Sequence, residues 1–132
     1  MHPKFGASIV GARQILIAFN VNLGTDDISI ARSIAREIRE SNHGLKNVKA
    51  MGVRLKEKNI VQVSMDLVDY KKTPIYKPYE LIKVEAKRYG VPVVGSELIG
   101  LVPTDALINA ADYYLKLDRF NEEQLIENRL HG

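Results

Sequence analysis

Asn20 and Asn22 are the most suggestive polar pair in this chain. They stand two residues apart in an alternating apolar run, and asparagine is depleted from strand interiors. Two amides on one strand face could hydrogen-bond a ligand amide or carboxylate. An exposed strand end that caps the following turn is the plain alternative. Arg13 follows Gly11-Ala12 just ahead of that run. A guanidinium there could grip a carboxylate through paired N–H donors, although an ordinary surface arginine is the blander reading. Gln62, Ser64 and Asp66 line the polar side of a later alternating run, either as an open sheet face that binds something or as solvated alternation. The stretch from Gly95 to Pro103 is apolar, bracketed by glycines, and leads into a helix start. It could receive an anion at that helix N-terminus, or it is a buried connection whose glycines only permit turns.

His2, His43 and His131 are the 3 histidines. They fall in an entry segment, a helix end and the C-terminal tail. A general base belongs on a rigid element beside a pocket, so all three read as solvated turn or tail residues. No phosphate-binding loop, dinucleotide fingerprint or paired-histidine metal motif occurs.

The elements that must position these residues follow from periodicity. Ile15, Ile17, Phe19, Val21 and Leu23 alternate with Leu16, Ala18, Asn20 and Asn22, which predicts a first strand. Thr25 or Asp26 is expected to cap a helix whose apolar stripe is Ile28, Ala31, Ala35 and Ile38, widened by Ile34, with Gly44 ending it. Met51-Val53-Leu55 and Val61-Val63-Met65-Leu67 each alternate with other residues across the short joint Glu57-Lys58-Asn59, which predicts an antiparallel hairpin. A second helix should open near Pro74, capped by Thr73, or at Pro78, and stop at Gly90. Val91 to Gly95 reads as a short strand. Pro103 or Thr104 opens a third helix with Leu107, Ala110, Ala111 and Tyr114 on one stripe. A last helix near residues 122–130 should return Leu125, Ile126 and Leu130 to the body. The order β-α-β-β-α-β plus C-terminal helices predicts a ferredoxin-like α+β fold, a four-stranded, mainly antiparallel sheet with helices on one face. Its other face would be open or covered by a partner.

Composition narrows the classes. At 132 residues one domain is expected over the whole chain, with 1–12 as an entry segment. The 45% hydrophobic content argues against disorder. Cysteine is absent, which removes disulfides, zinc–thiolate sites and a thiol nucleophile, and suits a reducing, cytoplasmic setting. The net charge of +3 comes from scattered residues rather than a basic stripe, so no nucleic-acid partner is expected. The longest apolar run, Ile15 to Phe19, is far too short to span a membrane, and no export signal follows Met1.

Specific segments carry a resemblance. Gly11 to Leu23 resembles the start of the C-terminal subdomain of the glutamate formimidoyltransferase family. The likeness continues through Val48 to Val53, Ile60 to Met65, Val93 to Pro103, Ala106-Leu107, Ala110-Ala111 and Leu125 to Leu130. It covers nearly the whole chain in order. The resemblance implies transfer of a formimidoyl group between N-formimidoyl-L-glutamate and tetrahydrofolate, the latter as co-substrate, in histidine breakdown. It implies two ferredoxin-like subdomains with folate between them and the catalytic histidine in the N-terminal one. The N-terminal formiminotransferase subdomain is therefore the expected partner, and none of the histidines here matches the catalytic position. Pro3, Lys4, Phe5 and Gly6 match the end of the family's folate-binding stretch and inherit that role. Arg13, Asn20 and Asn22 join them from the residue reading. Met1 falls inside the implied subdomain junction, which a split gene or a shortened polypeptide would explain. A folate- or acidic-metabolite-binding module without chemistry, and a structural domain that forms a homo-oligomer, are the alternative readings.

Overall fold

A computed structural model describes residues 15–40, 45 and 47–131. Pro3, Lys4, Phe5, Gly6 and Arg13, with His2, His43 and Gly44, lie outside the described residues. The elements are β1 (Ile17–Leu23), α1 (Ile28–Glu40), β2 (Val48–Leu55), β3 (Ile60–Leu67), α2 (Tyr76–Arg88), β4 (Val93–Ile99), α3 (Thr104–Leu115), a 3-10 turn (Glu122–Gln124) and α4 (Ile126–His131). The 4 strands form one sheet in the order β2-β3-β1-β4, and every neighbouring pair is antiparallel. This is the expected ferredoxin-like topology, with helices on one side.

Alternation in β1 decides which face is core. Ile17, Phe19, Val21 and Leu23 are buried, as are Val61, Val63, Met65 and Leu67 of β3. Ala31, Ile34, Ala35 and Ile38 of α1 pack on them with essentially no exposure. Fully burying a side chain such as Ile34 contributes about 1.5–3 kcal/mol, so this stripe dominates the docking of α1. Arg39 Nη1 then donates to the Ala50 carbonyl at 2.7 Å, tying the helix end to β2.

Several expectations need correction. The α1 cap is Asp27, one residue later than expected: its Oδ1 accepts from the Ser29 N–H at 3.0 Å and from Ser29 Oγ at 2.6 Å. Thr25 Oγ1 instead accepts from the Asp27 N–H. Those Ser29 bonds hold the Asp27 carboxyl below its ordinary value of 3.8. A group lowered on folding stabilises above its unfolded pKa and loses that contribution as pH falls through the folded one. Asp27→Asn should therefore lower the denaturation midpoint at neutral pH, and the difference from the native chain should shrink on acidification below 3.8.

Thr73 caps nothing. It is buried, its Oγ1 has no partner among the described residues, and α2 begins after Ile75, two residues beyond the expected Pro74. Pro78 sits in the first turn of α2, where N–H groups have no helical acceptor and proline costs little. The core-facing row of α2 is Pro78, Ile82 and Ala86, while Val84 is exposed. On α3 the buried residue is Ala106, and Leu107 and Tyr114 are half-exposed. Ile126 of α4 is exposed rather than returned to the body.

The largest difference is at β4. The strand runs Val93–Ile99, so most of the stretch expected as a loop is a sheet edge. Its backbone finds ladder partners along β1 from Ala18↔Ile99 to Asn22↔Gly95, then shifts register before Leu23↔Val93. Gly100, at φ +78°, ends it in a conformation only glycine adopts freely.

Candidate functional site

The face of the sheet turned away from the helices carries the polar residues. Cross-strand register places them in rows. One row runs Val53–Gln62–Asn22–Gly95, and the next Met51–Ser64–Asn20–Glu97. A third runs Lys49–Asp66–Ala18–Ile99. The two central strands of the face carry amides, a hydroxyl and a carboxylate, and its edge strands are mixed, Val53, Met51 and Lys49 on β2 and Gly95, Glu97 and Ile99 on β4. Met51 is 60% exposed and Ile99 51%.

The centre is tightly organised. Asn20 is 8% exposed and Gln62 5%. Asn20 Nδ2 donates to Glu97 Oε1 at 3.3 Å, and Gln62 Nε2 donates to Asn22 Oδ1 at 2.8 Å. Each asparagine of β1 is therefore held by a neighbouring strand on opposite sides, Asn20 by β4 and Asn22 by β3. Beside Asn22, Gly95 leaves space: a Cβ there would meet only Asn22 Nδ2, at 3.8 Å. Buried polar groups are costly unless bonded. A bonded amide cluster at the centre of an open face suits a polar ligand or a second sheet better than solvent.

The sequence matches the family model described as "Formiminotransferase domain" over residues 18–130. The chain belongs to the formiminotransferase family. It is 52% identical to glutamate formimidoyltransferase of Streptococcus pyogenes serotype M1 over 133 aligned positions, covering 100% of this chain and 44% of that protein. It is 53% identical to glutamate formimidoyltransferase of Thermoplasma acidophilum, covering 96% of this chain and 42% of that protein. Formimidoyltransferase-cyclodeaminase of Rattus norvegicus is 43% identical and is covered over 26% of its length. The chain spans less than half the length of these relatives.

Within this formiminotransferase chain, the structure brings Asn20 and Asn22 together with Gln62 and Ser64, as their alternation allowed. It adds Glu97 and Gly95, which the sequence reading had assigned to a glycine-bracketed stretch. The one available signal was parity: Gly95, Glu97 and Ile99 fall on one side once the segment is read as a strand, but Ser96 and Leu98 opposite them do not contrast in polarity. The start of α3 does not favour an anion. Its first turn holds Asp105, whose carboxylate accepts from the Tyr70 hydroxyl at 2.9 Å, and burial followed by that bond raises the Tyr70 pKa.

A recess of about 480 Å³ is bounded by Phe19, Tyr79, Leu98, Leu107 and Tyr114, and reaches Glu97 of the amide cluster. Tyr76 stacks on Tyr113 at 3.8 Å, and Tyr79 meets Tyr114 edge-on. Burial, then a 2.5 Å bond to Glu80, pushes the Tyr114 hydroxyl well above its ordinary range. These tyrosines join α2 to α3. No helix among the described residues is long and apolar enough to cross a membrane, and no acidic or histidine cluster among them could hold a metal ion.

Proposed function

We propose that this chain is the C-terminal, folate-side half of a glutamate formimidoyltransferase, which moves a formimidoyl group between N-formimidoyl-L-glutamate and tetrahydrofolate. The observation that carries the reading is the sheet face turned away from the helices, where bonded, buried amides lie on the central strands and Met51 and Ile99 stand exposed on the outer ones. A purely structural interface would be expected to be apolar at its centre; this face has bonded amides there. That pattern suits two sheets meeting at their margins around a polar ligand. The N-terminal subdomain supplies the second sheet and the catalytic histidine, which acts as general acid/base. Relatives more than twice the length of this chain support the need for that half.

Tetrahydrofolate is then the co-substrate, held from this side by Asn20 and Asn22. Pro3, Lys4, Phe5, Gly6 and Arg13 complete the folate side from the segment preceding β1. Arg13 and Lys4 suit the carboxylates of the glutamate moiety. Histidine breakdown in the cytoplasm is the setting this reading implies.

Association with an N-terminal half tests it directly. Analytical ultracentrifugation of the mixture should show a one-to-one complex. Met51→Lys with Ile99→Lys places two charges on the margins, and should weaken association at least about tenfold, since burying each unpaired charge costs several kcal/mol. Undiminished association of that variant would remove the open face from the interface.

A further inference from the structure

The two asparagines of β1 are held in different ways, and the difference has a chemical consequence. Asn22 is paired with Gln62, another amide. Two amides can reverse together and keep their bond. Asn20 is paired with Glu97, a carboxylate. A carboxylate only accepts. The contact therefore permits one orientation of the Asn20 amide, with Nδ2 toward β4 and Oδ1 turned away from it. Across the other side of β1, Asn20 faces Ser64 in register. The side chain is also nearly enclosed, at 8% exposure, so its orientation is not averaged by solvent.

We propose that Glu97 is a positioning residue: it locks Asn20 with Oδ1 as a hydrogen-bond acceptor, so that this face selects a ligand N–H over a carbonyl oxygen. The inference rests on the half-enzyme reading. A formimidoyl group ends in an imino N–H where a formyl group ends in an oxygen. The two are otherwise alike in size and shape. An acceptor fixed at the transferred group bonds the first and repels the lone pairs of the second. A site built to hydrogen-bond an N–H discriminates strongly against an analogue without it. The same acceptor chemistry would also serve an N–H of the pterin ring, and the two sources separate in kinetics.

The test uses this chain assembled with its N-terminal half. Glu97→Gln keeps size but brings its own N–H, which frees the Asn20 amide to reverse. With the formimidoyl donor and the formyl donor compared at saturating tetrahydrofolate, the variant should lower the formimidoyl-to-formyl ratio of kcat/KM about tenfold, the worth of one hydrogen bond of this kind. If the N–H belongs to the pterin instead, the ratio holds and the KM for tetrahydrofolate rises about tenfold with either donor. The double variant Asn20→Asp with Glu97→Gln exchanges amide and carboxylate and again leaves a fixed acceptor. It should restore whichever parameter moved, a rescue that a merely structural role for Glu97 would not produce. An unchanged ratio and KM in Glu97→Gln, or an equal fall in kcat for both donors without rescue, overturns the proposal. An inactive native mixture instead defeats the half-enzyme reading and takes the ligand assignment with it. In the isolated chain, Asn20 side-chain amide NMR resonances unmoved by Glu97→Gln overturn the positioning contact whatever the mixture does.

Discussion

Gly95→Leu should leave the chain folded and abolish transfer in the assembled enzyme. The site has ordinary strand geometry, and a Cβ would meet only Asn22 Nδ2 at 3.8 Å. Nothing in the folded state resists the substitution. Glycine weakens a strand interior through backbone entropy, so a larger residue should hold or slightly raise the thermal midpoint. The leucine side chain, however, projects onto the open face next to Asn22. It fills the space beside the amide cluster and displaces whatever binds there. A misplacement of about 1 Å can cost about 10²-fold in rate, and a leucine intrudes by more than that. Gly95→Ala should be mild and Gly95→Leu should lose at least about 10²-fold in kcat/KM, with circular dichroism unchanged and the thermal midpoint no lower in both. If Gly95→Leu transfers normally, the substrate does not occupy this face.

Gly52→Ala should act in the opposite way, through stability alone. Gly52 lies on β2 beneath α1. A Cβ there would come within 2.8 Å of the Arg32 backbone N and 3.0 Å of the Ala31 carbonyl carbon. These are backbone atoms of a helix and cannot rotate aside. The helix would have to lift from the sheet, across a stripe where Ala31, Ile34, Ala35 and Ile38 have almost no exposure. Overpacking of this kind costs about 1–3 kcal/mol, and the backbone contact puts alanine at the upper end. Gly52→Val should leave no cooperative unfolding transition. Chemical denaturation reads the effect, and a loss for alanine below about 0.5 kcal/mol would mean that α1 accommodates the methyl group.

These two glycines show why parts of the site were legible and parts were not. The alternation Ile17-Phe19-Val21-Leu23 is a strong period-two signal, and it automatically placed Asn20 and Asn22 on the opposite side. The hairpin between β2 and β3 was equally clear from the short polar joint Glu57-Lys58-Asn59 between two alternating runs, where Asn59 takes φ 54°. Gly95 was different. Gly95 closes the short strand read from Val91 and opens the glycine-bracketed stretch, where local chemistry favours a turn over a continuing strand. Its actual place is set by the sheet: β1 has an edge to satisfy, and the segment from Val93 to Ile99 supplies the ladder. Only that pairing reveals Glu97 as the neighbour of Asn20. Gly52 was likewise silent. In β2 the exposed Met51 and the partly buried Val53 face away from the helices, and the core side is Val48, Ala50 and Gly52. Hydrophobicity alone points the strand the wrong way, and the close approach of α1 corrects it.

The same geometry explains why the fold alone does not name the activity. A ferredoxin-like sheet hosts many functions. What distinguishes this one is the bonded amide cluster on the central strands of the face turned away from the helices, with Met51 and Ile99 exposed on the outer strands. An oligomer closed through this face would have to bury the Asn20–Glu97 and Gln62–Asn22 pairs against their own copies. A ligand-bearing partner sheet can meet them with complementary donors and acceptors.

The most direct measurement is a transfer assay with N-formimidoyl-L-glutamate and tetrahydrofolate, run on this chain alone and on the chain mixed with an N-terminal formiminotransferase subdomain. Transfer in the mixture, and none with either half by itself, is the predicted result. Transfer by this chain alone would contradict the assignment of the catalytic base to the partner, and a mixture that forms a complex yet transfers nothing would contradict the half-enzyme itself.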